Sequence, residues 1–280
     1  MSGLSSGIIR QLRFPCPPYI EQRTIANVLG SLDEKIELNR RMNQTLEEIC
    51  RTLFKFWFVD FGPVHAKQEG RWKKGESLPG MPADMWDLWP SEFEEGEIVE
   101  IPKGWKVGSL GQVAELRYGK SLKEADRKGG TVPVFGSNGV VGWHDSCLVH
   151  GPGIVVGRKG NPGTVTWSDL DFWPIDTTFY IILKAESLPL YYLFHALYRA
   201  DLSFLEADSA VPGLNRTTAL GSKLVIPKEP LADCFSEVAR LLGTRATVNN
   251  NENATLGQAR DVLLPKLLSG EIRVPVMDGG

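Results

Sequence analysis

Residues 12–61 read LRFPCPPYIEQRTIANVLGSLDEKIELNRRMNQTLEEICRTLFKFWFVDF, and a degraded copy of the same text begins at residue 224 with LVIPKEP. Leu12, Phe14, Pro15 and Pro18 correspond to Leu224, Ile226, Pro227 and Pro230. The correspondence runs on through Ile25, Ala26, Leu29 and Gly30 against Val238, Ala239, Leu242 and Gly243. It then continues through Asn39, Asn43, Thr45, Leu46 and Leu53 against Asn249, Asn253, Thr255, Leu256 and Leu263. The offset falls from 213 to 210 on the way, so the second copy has lost three residues, close to one helical turn, and the same face survives. An internal repeat of this kind sets the architecture before any local reading does.

Within the first copy, alternating steps of four and three pick out Ile25, Leu29, Leu32, Ile36, Asn39, Asn43, Leu46, Cys50, Leu53 and Trp57, a heptad seam. The second copy gives Leu242, Ala246, Asn249, Asn253, Leu256, Arg260, Leu263 and Leu267. Both seams place two asparagines at the same step. A buried asparagine lowers stability but fixes register and partner when it meets another polar group, so the two helices are expected to pair with their polar steps aligned. The alternative, two independent amphipathic helices lying on the central domain, stays open. Each helix would be on the order of 50 to 60 Å long, a length that suits a spacer. The stretch Leu53 to Val59 is apolar nearly all round and must be covered by something else.

A chain of 280 residues with an apolar fraction of 42% can bury a core. The four cysteines, Cys16, Cys50, Cys147 and Cys234, show no paired spacing, which points to reduced thiols rather than a disulfide framework. No leader-like opening and no run of eighteen apolar residues occurs, so no membrane span and a cytoplasmic location are expected. The net charge of −3 does not advertise a nucleic-acid binder. It is unevenly spread, however, since residues 71–100 hold eight acidic against three basic side chains and leave the remainder slightly positive.

The fold class read from these patterns is α+β: one mainly β domain plus two long helices. The expected segments are a short leading tail at 1–18, a first helix at 19–60, an ordered but irregular linker at 61–100 carrying Trp72, Trp86 and Trp89, a β domain at 101–230, a second helix at 231–272 and a closing tail at 273–280. Short runs such as Val132–Phe135, Gly153–Gly157, Gly163–Trp167 and Phe179–Leu183, punctuated by glycine turns, predict strands, and Pro189–Ala200 predicts one helix. The loops between them hold Tyr118, Lys120, Lys123, Arg127, Lys128, Asn138, Trp143, His144, Arg158, Lys159, Asn161, Asn215 and Arg216. Basic, amide and aromatic side chains on loops of a rigid scaffold are the inventory for phosphate anchoring and base-edge contact. Singly, each is as ordinary as any solvated surface residue.

Three other patterns carry little. Ala114 to Ser121 matches a loose phosphate-loop spacing, but Glu115, Leu116, Arg117 and Tyr118 make a poor cradle. Cys16-Pro17-Pro18-Tyr19 is one residue away from an amino-methyltransferase motif, yet a thiol is a weak acceptor for the target amino group. His144, Cys147 and His150 have ligand-like spacing but lack a fourth ligand and would alternate faces along a strand pair, so no metal is expected there. Asp169, Asp171 and Asp176 read as turn and surface residues, and no cofactor is expected.

The longer motifs resemble the specificity subunits of type I restriction-modification enzymes. Pro18 to Ala26, Leu32 to Asn39 and Leu53 to Phe61 look like that family's conserved central helix. Val132 to Gly139 and Gly151 to Gly160 look like its target-recognition domain, and Leu264 to Ile272 like its closing helix. The resemblance implies that the two helices form an antiparallel coiled coil, an orientation that the seams alone do not supply. It also implies a half-length form with one recognition domain, preceded at Ser6 to Pro17 by what looks like the tail of another.

By the same resemblance the chain is expected to be non-catalytic. It would read double-stranded DNA through the thirteen loop residues above and position a separate adenine methyltransferase subunit and a restriction/translocase subunit. The helical residues Asn39, Asn43, Leu46, Phe54, Trp57, Phe58, Asn249, Asn253 and Leu256 are expected to make the coiled coil and the partner contacts. Self-association as a homodimer is a further expectation. The competing reading is a helical scaffold or adaptor whose β domain binds protein rather than DNA.

Overall fold

The computed structural model describes residues 16–96, 100–184, 188–205 and 213–275. Residues 6–15 of the tail-like segment fall outside the described residues. The chain divides into two units, one made of Met1–Ile49 with Leu241–Gly280 and the other of Cys50–Arg240. Two long helices dominate the secondary structure, α1 over Tyr19–Phe58 and, at the other end of the chain, one over Leu231–Ser269. Among the described residues no helix is long and apolar enough to cross a membrane.

In the first unit the two helices run antiparallel. Asp33 accepts from Arg260 Nη1 at 2.7 Å, Asn39 Nδ2 donates to Asn253 Oδ1 at 3.0 Å, and Asn249 Nδ2 donates to Asn43 Oδ1 at 2.7 Å. Toward the chain ends, Arg273 Nη1 donates to Glu21 Oε2 at 3.1 Å. The seam is the shielded face: Ile25, Ile36, Asn39, Asn249 and Leu267 are all buried. Burying each large aliphatic side chain contributes roughly 1.5–3 kcal/mol, whereas the buried amides of Asn39 and Asn249 would be a loss without Asn253 and Asn43 across the seam, and Asn249 Oδ1 still finds no partner among the described residues. Lys35 adds a second layer, donating to Asn39 Oδ1 at 3.0 Å and lying 3.3 Å from the Glu252 carboxylate. Because Asn39 is the counterpart of Asn249 and Asn43 of Asn253, the two cross-pairs are related to one another by a local two-fold axis.

The second unit carries the sheets. After α1 come α2 (Gly62–Gln68), opened by Phe61 in the left-handed region at φ 48 and by Pro63, and a 3-10 turn over Ala83–Leu88. The tryptophans anchor this stretch: Trp72 and Trp89 are buried, Trp72 Nε1 donates to Glu76 O at 2.7 Å, and Lys67 Nζ donates to Trp89 O at 2.6 Å. A hairpin pairs β1 (Phe93–Glu95) with β2 (Glu100–Pro102). The strands β3 (Lys106–Ser109) and β11 (Lys223–Ile226) then close the domain by pairing its two ends.

Between them, α3 (Leu110–Val113) leads into β4 (Ala114–Tyr118), followed by β5 (Val132–Gly136), β6 (Gly139–His144), β7 (Gly153–Gly157), β8 (Val165–Ser168), β9 (Trp173–Pro174) and β10 (Thr178–Leu183). These make a four-stranded sheet in the order β4-β10-β7-β8 and a three-stranded sheet in the order β6-β5-β9. The helices α4 (Leu190–Ala200) and α5 (Arg216–Leu220) complete the unit, with the C-terminal helix, α6, following β11. The β7 strand is buried along its whole length, and Val155 packs with Phe135 and Phe172 in the core.

One expectation is corrected here. Phe54, Trp57 and Phe58 do not face outward toward partner subunits; they are 5%, 3% and 2% exposed. Their rings meet Phe235 of α6 at 5.3, 6.1 and 5.5 Å, and Phe58 stands edge-on to Tyr192 of α4 at 4.8 Å. A helix end that is apolar on every side has to be enclosed, and here its own domain encloses it.

Candidate nucleic-acid interface

The register of the four-stranded sheet brings four chain segments to one end. Tyr118 at the close of β4 pairs with Phe179, Thr178 at the start of β10 pairs with Gly157 at the close of β7, and Val156 pairs with Val165 at the start of β8. The loops leaving these residues are tied together by backbone hydrogen bonds. Lys120 N donates to Pro174 O at 3.0 Å, Arg158 N and Lys159 N donate to Thr177 O at 2.9 and 3.1 Å, and Leu214 N donates to Arg158 O at 2.9 Å. The β5–β6 hairpin tip joins them. A Cβ placed on Gly157 would meet Asn161 O at 2.2 Å, and one on Gly160 would meet Ser137 Oγ at 3.2 Å; Gly160 also has φ +86. Glycine is needed at both positions for the loops to close on each other.

Six of the expected residues therefore gather at this end: Tyr118, Lys120, Asn138, Arg158, Lys159 and Asn161. Tyr118 is exposed and lies over Phe179 at 5.0 Å, with the Arg158 guanidinium 5.4 Å from the Tyr118 ring. Arg158 is partly committed, since Nη2 donates to Asp176 O at 2.7 Å. The side chains of Lys120, Asn138, Lys159 and Asn161 are exposed and make no hydrogen bond or ion pair among the described residues. Two cations, two amides and an exposed ring over a rigid base can meet phosphates and base edges at once.

The other expected residues are placed elsewhere or used internally. Asn215 caps α5, its Oδ1 accepting from Thr217 N and Thr218 N at 2.8 and 3.2 Å. Arg216 Nε donates to Leu116 O at 2.6 Å and pins α5 to β4. Arg127, Lys128, Trp143 and His144 form a second group around β6, and Lys123 precedes the 3-10 turn Glu124–Asp126 that leads to Arg127. Arg127 Nη1 donates to Val141 O at 2.7 Å, and Lys128 Nζ lies 3.6 Å from Asp145. His144 is a core histidine: it is buried, its Nδ1 accepts from Lys128 N at 3.3 Å, its Nε2 faces Asp145 at 3.3 Å, and its ring stands edge-on to Trp173 at 5.4 Å. Lys123 and Trp143 are exposed. The phosphate-loop lookalike is plain strand, because Ala114–Tyr118 is β4.

Comparison with known proteins accounts for the same segment. Residues 102–229 match the type I restriction modification DNA specificity domain. Over 94% of this chain and 70% of the relative, the sequence is 27% identical to the type I restriction enzyme HindI specificity subunit of Haemophilus influenzae. It is 24% identical to the MjaIX specificity subunit of Methanocaldococcus jannaschii, covering 97% of this chain and 63% of that one. The fold is similar to the crystal structure of a type I restriction-modification S subunit from M. genitalium, with a TM-score of 0.63 at 17% identity, over 90% of this chain and 61% of that one. Residues 102–229 thus match the type I restriction modification DNA specificity domain, and over nearly its whole length the chain is similar to specificity subunits of type I restriction enzymes.

Proposed function

We propose that the second unit reads a DNA sequence through the loop cluster at the Tyr118–Gly157 end of its four-stranded sheet. The observation that carries this reading is the convergence there of Lys120, Asn138, Lys159 and Asn161, whose side chains are exposed and uncommitted among the described residues. Lys120 and Lys159 anchor phosphates, Arg158 and Tyr118 present a cation stacked on a ring, and Asn138 and Asn161 meet base edges. Lys123, Lys128 and Trp143 flank the duplex as a second contact region. Arg127, His144, Asn215 and Arg216 hold the loops that carry these contacts.

The chain performs no chemistry in this reading. It positions an adenine methyltransferase subunit, and a restriction/translocase subunit with it, on the site that it recognises. With Phe54, Trp57 and Phe58 enclosed, partner docking falls to exposed apolar side chains of the helices. Val28 and Leu38 are exposed, as are Leu241 and Val248, which the repeat makes their counterparts.

The test is a salt titration of binding to a non-specific duplex, comparing the wild-type chain with Lys120→Ala and Lys159→Ala. Each lost phosphate contact should lower the slope of log affinity against log salt by up to about one unit. Unchanged slopes in both variants would remove this end of the sheet from the interface. Wild-type affinity indifferent to salt would favour the adaptor that binds protein.

A further inference from the structure

At the opposite end of the same sheet, Gly153 opens β7 against Ser168 at the close of β8. The segments just outside this pair are joined by an isolated bridge: Phe172 N donates to Val149 O at 2.9 Å, and Val149 N donates to Phe172 O at 3.0 Å. On either side of the bridge stand Cys147, His150 and Asp171. Their donor atoms, Sγ, Nδ1 and one carboxylate oxygen, lie within 4.8 Å of one another. His144, the third member that spacing along the chain would suggest, is elsewhere, facing Asp145 and Trp173. Asp171 takes its place from 21 residues beyond His150.

The trio has the form of a ligand set rather than a catalytic relay. In a thiol–imidazole–carboxylate relay the ring stands between its partners and uses a different nitrogen for each. Here the same nitrogen, His150 Nδ1, faces both Cys147 Sγ at 3.8 Å and Asp171 Oδ2 at 3.0 Å, while Sγ and Oδ2 are 3.6 Å apart. The three atoms surround a point. A tetrahedral zinc ion with sulfur at about 2.3 Å, imidazole nitrogen at about 2.0–2.1 Å and carboxylate oxygen at about 2.0–2.2 Å sets its ligand atoms about 3.4–3.6 Å apart. The observed triangle needs shifts of only a few tenths of an ångström to match.

The donors are also held in place. Asp171 Oδ1 accepts from Gly151 N at 2.9 Å, which leaves Oδ2 turned toward the thiol and the imidazole. A Cβ on Gly151 would sit 2.3 Å from Leu170 O, so the two loops touch as closely as glycine permits.

We propose that Cys147, His150 and Asp171 form a site for one divalent cation of the zinc class, closed by solvent at its fourth position. Thiolate, neutral imidazole and carboxylate together balance a divalent charge, and the mixed S, N and O donors favour a borderline-soft ion over magnesium or calcium. The ion would clamp the 145–151 loop to the 169–172 loop. It lies at the other end of the four-stranded sheet from the proposed DNA-reading loops, so it would act by stiffening the domain rather than by touching bases.

The test uses the full-length chain, reduced and metal-free, titrated with Co²⁺ as a spectroscopic probe and then with Zn²⁺. One equivalent of Co²⁺ should give a thiolate-to-cobalt charge-transfer band and visible bands of tetrahedral intensity, and Zn²⁺ should displace both. Zinc at a hundred-fold excess over its Kd should raise the melting midpoint by on the order of 5 °C. Cys147→Ser should abolish the charge-transfer band and the melting shift. His150→Ala and Asp171→Asn should each weaken uptake at least about ten-fold, and Cys16→Ser and Cys234→Ser should change neither. Absence of the charge-transfer band in the wild-type chain, or its survival in Cys147→Ser, would overturn the proposal. These outcomes are independent of DNA binding.

Discussion

His195 on α4 illustrates how a single residue reports on the packing around it. Its Nε2 lies 3.2 Å from Cys50 Sγ of α1, and Phe54, Phe194 and Phe235 surround the ring at 5.8, 5.1 and 5.3 Å. Burial, with a smaller push from the Arg51 cation, lowers its pKa from 6.5 to about 4. The folded domain therefore holds the ring neutral where the unfolded chain would protonate it. The stability this contributes is complete above pH 6.5 and drains away as pH falls toward 4, with about 2 kcal/mol gone by pH 5. The carboxylates of the chain titrate in both wild type and His195→Leu, so the difference between the two isolates this ring. Denaturant midpoints measured from pH 7 to 5 should fall more steeply for wild type than for His195→Leu. Parallel curves would mean that the ring takes up its proton as readily in the fold as in the unfolded chain. At this scale the sequence was only partly legible. Arg216 looks like a DNA contact until its acceptor, Leu116 O, arrives from a hundred residues away, and His144 until Trp173 and Asp145 enclose it.

The two long helices were the most legible elements, because a repeated seam with two asparagines specifies both a face and a register. Their direction was not legible from the seams. Two asparagines four residues apart align with their counterparts in either orientation. What separates the orientations is the set of charged neighbours: Asp33 with Arg260, Lys35 with Glu252, and Glu21 with Arg273. The amides then act as a lock rather than a source of stability. Replacing Asn39 alone with Leu strands amide groups of Asn253 and should lower stability by about 1–3 kcal/mol. Replacing Asn39, Asn43, Asn249 and Asn253 together with Leu should restore or raise stability while relaxing register. Cysteines introduced at positions 33 and 260 report that register, since the side chains there touch at 2.7 Å in the native pairing. Their disulfide yield under mild oxidation should drop in the four-leucine background, with slipped cross-links appearing. A full native yield in that background would show that the two remaining charged pairs, Lys35 with Glu252 and Glu21 with Arg273, are enough to hold the alignment. In the sheets, the short strands were visible as glycine-bounded apolar runs, whereas the order β4-β10-β7-β8 was not. That order arises from pairings as distant as Tyr118 with Phe179, which no local pattern encodes.

For the whole molecule, the decisive property is the local two-fold axis of the helix pair. The contacts Asn39–Asn253 and Asn43–Asn249 join one copy of the repeat to the other. The same contacts can form between the first helix of one chain and the second helix of another, because the surfaces that meet are unchanged. Two chains that exchanged helices in this way would form a closed dimer carrying two identical recognition domains. Identical readers related by a two-fold axis select an inverted repeat, with a spacer set by the helices between them. If such a dimer forms, genome-wide mapping of methylated adenines, after co-expression of the chain with a candidate methyltransferase subunit in a methylation-free bacterial host, should return a palindromic, gapped motif. A bipartite motif with two different halves would require a second, different recognition domain in the complex and would rule out the symmetric dimer. If Lys120→Ala and Lys159→Ala then weaken methylation at both halves of the palindrome alike, the two halves are read by the same loops, as the symmetry demands.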